Sequence, residues 1–159
     1  MIGFSHIGLA TFKPEATRKF YEDILGLKKV VQSMSKIKSG GVIEELYFQL
    51  TDTQYIVFMS AKNVHGIPES FDTGINSGLG LPKGLYHFSF AVESVEKLTV
   101  WRERLEKAGI EVSEIIDLDT VKSIFFFDPN GIQLEMSVKV RNFDSRDLER
   151  YQEVELGDS

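Results

Sequence analysis

Apolar and polar positions along this chain change their period twice in the same order. Residues 4–11 (FSHIGLAT) are rich in apolar side chains, as a strand requires. Residues 14–27 (PEATRKFYEDILGL) switch to helical spacing, with Ala16, Phe20, Ile24 and Leu27 on one stripe. Pro14 and Glu15 suit a first helical turn, and Gly26 suits its end. Strand-like runs follow at 28–33, 42–50 and 55–59.

The second pass begins at residues 85–92 (LYHFSFAV), which alternate as a strand does. Ser94 is a natural N-cap for a helix over 95–108, with Leu98, Trp101 and Leu105 on its buried stripe and Gly109 at its close. Three more strand-like runs lie at 110–116, 123–127 and 132–138. Between the last two, Asp128-Pro129-Asn130-Gly131 is a strong turn signal.

Each half thus reads strand, helix, three strands. His6 falls on His87 and Gly26 on Gly109 when the halves are aligned. An internal repeat outranks any single motif as a guide to architecture. The pattern predicts an α+β fold: two tandem βαβββ modules forming a curved mixed sheet around one cleft. The modules are expected over 1–59 and 85–140, with a linker or lid loop at 60–84. A charged C-terminal helix and tail should occupy 141–159, the whole making one compact domain. Segment 60–84 holds five glycines and two prolines, and a connection of that length is usually functional or mobile.

Composition narrows the function. A hydrophobic content of 42%, with 12 Phe, can fill a core in a chain of 159 residues. The net charge of -6 disfavours a phosphate backbone as partner. The absence of cysteine removes disulfides and thiolate chemistry together. No basic leader precedes an apolar run, and no run approaches the ~20 apolar residues that span a bilayer. The expectation is a cytoplasmic protein that acts on a small molecule, with neither nucleic acid nor membrane as partner. A homodimer is compatible with the chain.

Candidate chemistry rests on few residues. The histidines are His6, His65 and His87. A lone strand histidine is more often a hydrogen-bonded core residue than a ligand, but two related by a repeat point toward a shared metal. In residues 132–136 (IQLEM), period-two alternation sets Gln133 and Glu135 opposite Leu134. A carboxylate flanked by Leu134 and Met136 is costly to bury without a partner, and a cation provides one.

The stretches SHIGLAT with RKFYEDILGL, YHFSFAVES, and IFFFDPNGIQLEMS resemble the vicinal oxygen chelate superfamily, which includes glyoxalases, bleomycin-resistance proteins and extradiol dioxygenases. The resemblance runs from Phe4 to about Val138. It implies a histidine opening each module and a glutamate ending the hairpin after the turn, so that His6, His87 and Glu135 would hold one divalent metal. Aligning residues 55–58 with 132–135 sets Phe58 at the place of a fourth ligand found in many glyoxalases, with Glu45 and Gln54 out of register. Two His and one carboxylate form the facial set of non-haem Fe(II) oxygenases, so Fe(II) is favoured, with Zn, Mn, Ni or Co as alternatives.

Extradiol dioxygenases of this kind carry a Tyr ten residues before the glutamate and a His before that. Here the first position is Phe125 and the second falls within 116–118, without a His. Asp117, Asp119 or His65 are left as proton acceptors, His65 being a weak catalytic candidate. The sequence reading is therefore a dioxygenase-like enzyme binding its substrate through neighbouring oxygens. A lactoylglutathione-lyase-like isomerase and a bleomycin-resistance-type binding protein are the alternatives.

Overall fold

A computed structural model describes residues 3–148. Strands and helices follow the order β1 (His6–Ala10), α1 (Pro14–Lys19, continued by a π-helical turn at Phe20–Ile24), β2 (Lys28–Lys36), β3 (Val42–Thr51) and β4 (Gln54–Lys62). After the short helix α2 (Ile75–Gly78) come β5 (Phe88–Ala91), α3 (Val95–Lys107), β6 (Ile116–Asp117), β7 (Val121–Phe127) and β8 (Gln133–Lys139). The strands form two four-stranded mixed sheets of matching topology, β1-β4-β3-β2 and β5-β8-β7-β6. In each, the first strand pairs in parallel with the last and the other neighbours are antiparallel. This is the α+β repeat of two βαβββ modules that the sequence predicts.

The chain divides into two compact units, Met1–Leu79 with Asp128–Ile132, and Gly80–Phe127 with Gln133–Ser159. The turn between β7 and β8 is thus packed with the first unit, while its flanking strands belong to the second.

In the first unit α1 covers one sheet face. Phe20, Tyr21 and Leu25 are buried with Leu9, Leu46, Phe48, Ile56 and Phe58. The Tyr21 ring lies 5.2 Å from that of Phe48 and 4.9 Å from that of Phe58. The stripe differs from the one expected. Thr17 is buried and Ala16 is exposed. A bond from Leu25 N–H to the Phe20 carbonyl gives the wider π turn. Thr17 is tolerated inside because its hydroxyl bonds Thr11 (2.9 Å) and receives the Asn130 amide (3.1 Å).

The Asp-Pro-Asn-Gly turn is knitted into the same polar cluster. Asp128 accepts the backbone N–H groups of Asn130 (2.8 Å) and Ile132 (2.9 Å), the Asn130 amide (2.9 Å) and the Tyr21 hydroxyl (3.2 Å). Thr11 donates to Asn130 Oδ1 at 2.7 Å. Burial pushes the Asp128 carboxyl above its ordinary range against these hydrogen bonds, which pull it down. Burial, and then the nearby Asp128 charge, raise Tyr21 well above the usual phenol value. Gly131 needs its positive φ of 76° for the turn. Its carbonyl would stand 2.8 Å from a Cβ placed on Gly74, so a side chain at Gly74 would push the two backbones apart. Thr73 donates to the Asn130 carbonyl at 2.8 Å and Phe71 packs edge-on against Phe12 at 4.7 Å. The middle of the long connection is therefore fastened to this turn.

In the second unit α3 starts at Ser94, whose hydroxyl accepts the Lys97 N–H at 3.2 Å, and Gly109 follows with φ 76°. Leu98 and Leu105 are buried, as are Ile124, Phe126, Leu134, Met136 and Val138. Trp101 is only half-buried, with the Arg104 guanidinium 4.9 Å from its ring. Of the strand expected over 110–116, only a bridge from Val112 to Phe126 and the two residues of β6 form. Past β8, Arg141 bonds Asp119 and Asp147 and ties a 3-10 turn, Ser145–Asp147, back to the unit. The remainder of the expected C-terminal helix lies outside the described residues.

Candidate functional site

Strand alternation sorts the second sheet into two chemically different faces. Phe88, Phe90, Ile124, Phe126, Leu134 and Met136 fall on the face carrying the apolar core. Ser89, Ser123, Phe125, Gln133, Glu135 and Ser137 fall on the other. Glu135 is buried there, paired in register with Ser89 on one side and Phe125 on the other. Ser123 donates its hydroxyl to Glu135 Oε1. His87 stands just before β5, and its Nε2 lies 3.2 Å from Glu135 Oε2. Phe125 packs edge-on against the imidazole at 6.1 Å. Ser89 and Ser137 bond each other at 2.8 Å farther along the face.

His87 is oriented from its far side. Its Nδ1 lies 2.9 Å from the carbonyl of Gly84. A carbonyl oxygen only accepts, so Nδ1 carries the hydrogen. In the neutral ring, Nε2 then turns a lone pair toward a carboxylate oxygen. Two acceptors so close call for a cation, either a proton or a metal. The spacing also suits two adjacent ligands of one metal, because donor atoms bound at about 2.1 Å and near right angles stand about 3 Å apart. The donor chemistry of this pair therefore fits a divalent metal.

His6 heads β1 in the first unit and is exposed, with Ser5 Oγ 3.4 Å from its Nδ1. Among the described residues, no group of three or more His, Asp or Glu side chains is gathered to hold a metal ion. The structure brings His87 and Glu135 together, and His6 is described within its own unit. His65 is exposed in the connection after β4. Asp117 is held below the usual carboxylate range by the Asp119 N–H and by Lys122, whose Nζ is 3.2 Å away. Asp119 is bound by Arg141. The Asp119 N–H and Lys122 therefore make Asp117 a poorer proton acceptor.

The register corrects one assignment. His6 pairs with Tyr55, and Gly8 with Val57. In the second sheet Phe88 pairs with Leu134 and Ser89 with Glu135. Superimposing His6 on His87 therefore sets Val57 at the place of Glu135, and Phe58 at that of Met136 on the packed face. The alignment of residues 55–58 with 132–135 was one residue out, and a slip of one residue changes the face of every side chain. Val57 cannot ligate either.

The same register recovers a carboxylate. Glu45 pairs with Met59, as Ser123 pairs with Ser137. Glu45 thus lies on the His6 face of its sheet, at the place that Ser123 occupies beside Glu135 in the other. Its Oε2 accepts the Ser33 hydroxyl at 3.0 Å. Gln133, Gly84 and Ser123 also went unnamed as site residues. Gln133 was legible as the neighbour of Glu135 on one face, whereas nothing in the sequence marks a glycine carbonyl as the partner of His87.

Comparison with known proteins agrees with the two-module fold. A solved glyoxylase/bleomycin resistance protein/dioxygenase domain from Frankia sp. EAN1pec superposes with a TM-score of 0.66 at 27% identity, covering 87% of this chain and 98% of its own. The fosfomycin resistance protein FosX from Listeria monocytogenes gives 0.61 at 22% identity, over 88% and 95% of the two chains. Lactoylglutathione lyase from Agrobacterium tumefaciens gives 0.58 at 19% identity, over 87% and 94%. No curated protein sequence matches the chain. The family model of the Glyoxalase/Bleomycin resistance protein/Dioxygenase superfamily matches residues 3–136, from before β1 into β8, and the chain belongs to that superfamily.

Proposed function

We propose that this protein is a metal-dependent enzyme that takes a small substrate through two neighbouring oxygens, with His6, His87 and Glu135 as ligands of one divalent metal. The observation that carries the reading is the His87–Glu135 pair, a lone-pair nitrogen and a buried carboxylate oxygen 3.2 Å apart. A FosX variant solved with Mn(II) and 1S,2S-dihydroxypropylphosphonic acid, 22% identical with a TM-score of 0.60, supports a metal in this family. When bound, such a metal polarises a chelated oxygen as a Lewis acid.

The chain's own residues then set the chemistry. Ser123 holds Glu135, and Gly84 holds His87. Phe125, at the place where a phenol would serve catechol cleavage, carries no proton. For a proton acceptor we assign Glu45, a carboxylate on the His6 face of the first sheet, and with it the reading shifts toward proton transfer next to the chelated oxygens, as in a glyoxalase-like isomerase. The dioxygenase reading with Fe(II) stands second, favoured by two neutral imidazoles and one carboxylate that leave ligand positions open. Sequestration of a drug-like ligand stands third.

Metal analysis of protein purified without chelator should give one divalent metal per chain. The metal-loaded protein is then assayed over dicarbonyl–thiol adducts, catechols and enolisable diketones, with oxygen uptake recorded. Glu45→Gln should lower kcat by about 100-fold or more if Glu45 moves the proton, with metal content unchanged. Oxygen consumption by the Fe(II) form, indifferent to Glu45→Gln, would reverse the order of the two enzyme readings. Protein that takes up no metal would end both.

A further inference from the structure

We propose that Gln133 is a positioning residue that acts through Gly84 to fix which nitrogen of His87 is available as a ligand. Gln133 is buried, although its side chain is polar and lies on the face that carries Glu135. Its Oε1 accepts the Gly84 N–H at 2.7 Å. The Gly84 carbonyl in turn accepts Nδ1–H of His87 at 2.9 Å, and Nε2 faces Glu135 Oε2 at 3.2 Å. The chain of contacts leaves β8 at Gln133 and returns to it at Glu135, two residues on. One strand therefore sets both the carboxylate and the orientation of the imidazole beside it.

Gly84 suits this relay for a backbone reason. Its φ is +95°, a conformation that L side chains rarely adopt. No atom lies within 4 Å of the place where its Cβ would be, so the glycine answers to conformation and not to crowding. Leu81, Leu85 and Tyr86 are exposed, and Lys83 contributes one cation–π contact, 5.9 Å from the Phe127 ring. The Gln133 bond fixes the backbone of Gly84 beside the ring that its carbonyl meets. Among the described residues, the contact of His6 Nδ1 is the Ser5 side-chain Oγ at 3.4 Å.

An imidazole that exposes the wrong nitrogen cannot ligate without rotating, and loss of such an orienting partner typically weakens a metal site by about 10–100-fold. The metal part of the proposal rests on the function proposed above; the tautomer part does not. The test is nitrogen NMR of the histidine rings in metal-free protein near pH 8, above the ordinary histidine pKa of about 6.5, with His87 assigned by His87→Ala. Wild type should show hydrogen on Nδ1 of His87. Gln133→Leu should give a mixture of tautomers and weaken Zn(II), titrated against a competing chelator, by about 10–100-fold. Gln133→Glu keeps an acceptor oxygen and should retain the wild-type tautomer. Gly84→Ala disturbs the relay from the other side and should repeat the effect of Gln133→Leu, which covers the case that Gln133→Leu does not fold. An unchanged Nδ1–H tautomer in the folded variants would overturn the proposal. A wild type that shows the expected tautomer and binds no Zn(II) would leave the relay standing and remove the metal reading alone.

Discussion

At equivalent places in the two sheets stand Val57 and Glu135, Met59 and Ser137, Gly8 and Ser89, Glu45 and Ser123. The backbone pattern is repeated and the chemistry along it is not. The His87 face has a row of oxygen-bearing side chains in which Ser123 and His87 partner a buried carboxylate. The His6 face has Val57, Met59 and Gly8 at the corresponding places, and the Glu45 carboxylate accepts a hydroxyl from Ser33. The second module sets a histidine against a buried carboxylate, while the first has apolar residues and the Glu45 carboxylate at the corresponding places. A duplicated sheet keeps its register because a slip would turn its apolar face outward. It is free to change single residues on the other face, where each substitution alters a local contact only.

The largest effect that would break this comparison is loss of the polar pair. His87→Ala and Glu135→Ala should each weaken metal binding by more than about 100-fold, beyond what loss of an orienting neighbour costs. Mass spectrometry of the metal released on digestion checks it, and full occupancy in Glu135→Ala would show that the second module does not provide the carboxylate ligand. His6→Ala, measured alongside, asks whether the first module gives a ligand as well.

A stability effect follows from the turn. In Asp128→Asn the side-chain amide would meet donors from Tyr21 and Asn130, and the variant should lose about 1–3 kcal/mol in urea denaturation. The folded chain raises the pKa of Asp128. Its proton-linked contribution is fully present below the ordinary carboxylate pKa and is lost as pH rises through the raised folded value. The deficit of Asp128→Asn relative to wild type should therefore be larger near about pH 4.5 than near about pH 7.5. A deficit that grows with pH would contradict the direction of the shift.

Val57→Glu sharpens the comparison by writing the second module's carboxylate into the first. Val57 is 2% exposed, so an unpaired carboxylate there should lower stability by about 1–3 kcal/mol in chelator. If the place is within reach of the metal, added Zn(II) should return most of that loss in thermal melts. An equal deficit with and without metal would show that the position is remote from the site.

The smallest effect is expected at His65. It is exposed and stands in the connection outside both sheets, so His65→Ala should change metal content and melting temperature within error. A clear loss of metal would move it into the ligand set.

The repeat was legible because its signals are local. Period-two strands, the Ser94 cap, the Gly26 and Gly109 closures and the Asp128–Gly131 turn depend on neighbours a few residues apart. The α1 stripe was misjudged because Thr17 is polar, and only its distant partners Thr11 and Asn130 make its burial tolerable. His6 and His87 could be named from the chain because they recur at module landmarks, and Glu135 because it alternates with Leu134 and Met136 after the Asp128–Gly131 turn. Glu45 and Gln133 could not be given roles, since each depends on which residue lies opposite.

By itself the sequence determined the class of fold, the two modules and their order, and the two faces of residues 132–136, because these follow from residue periodicity and backbone sterics. Only the tertiary structure decided the pairing of strands distant in the chain. That pairing put Val57 and not Phe58 at the place of Glu135 and returned Glu45 to the His6 face. Cross-strand register is a property of two segments at once, fixed by hydrogen bonds between them, and no single stretch of sequence carries it.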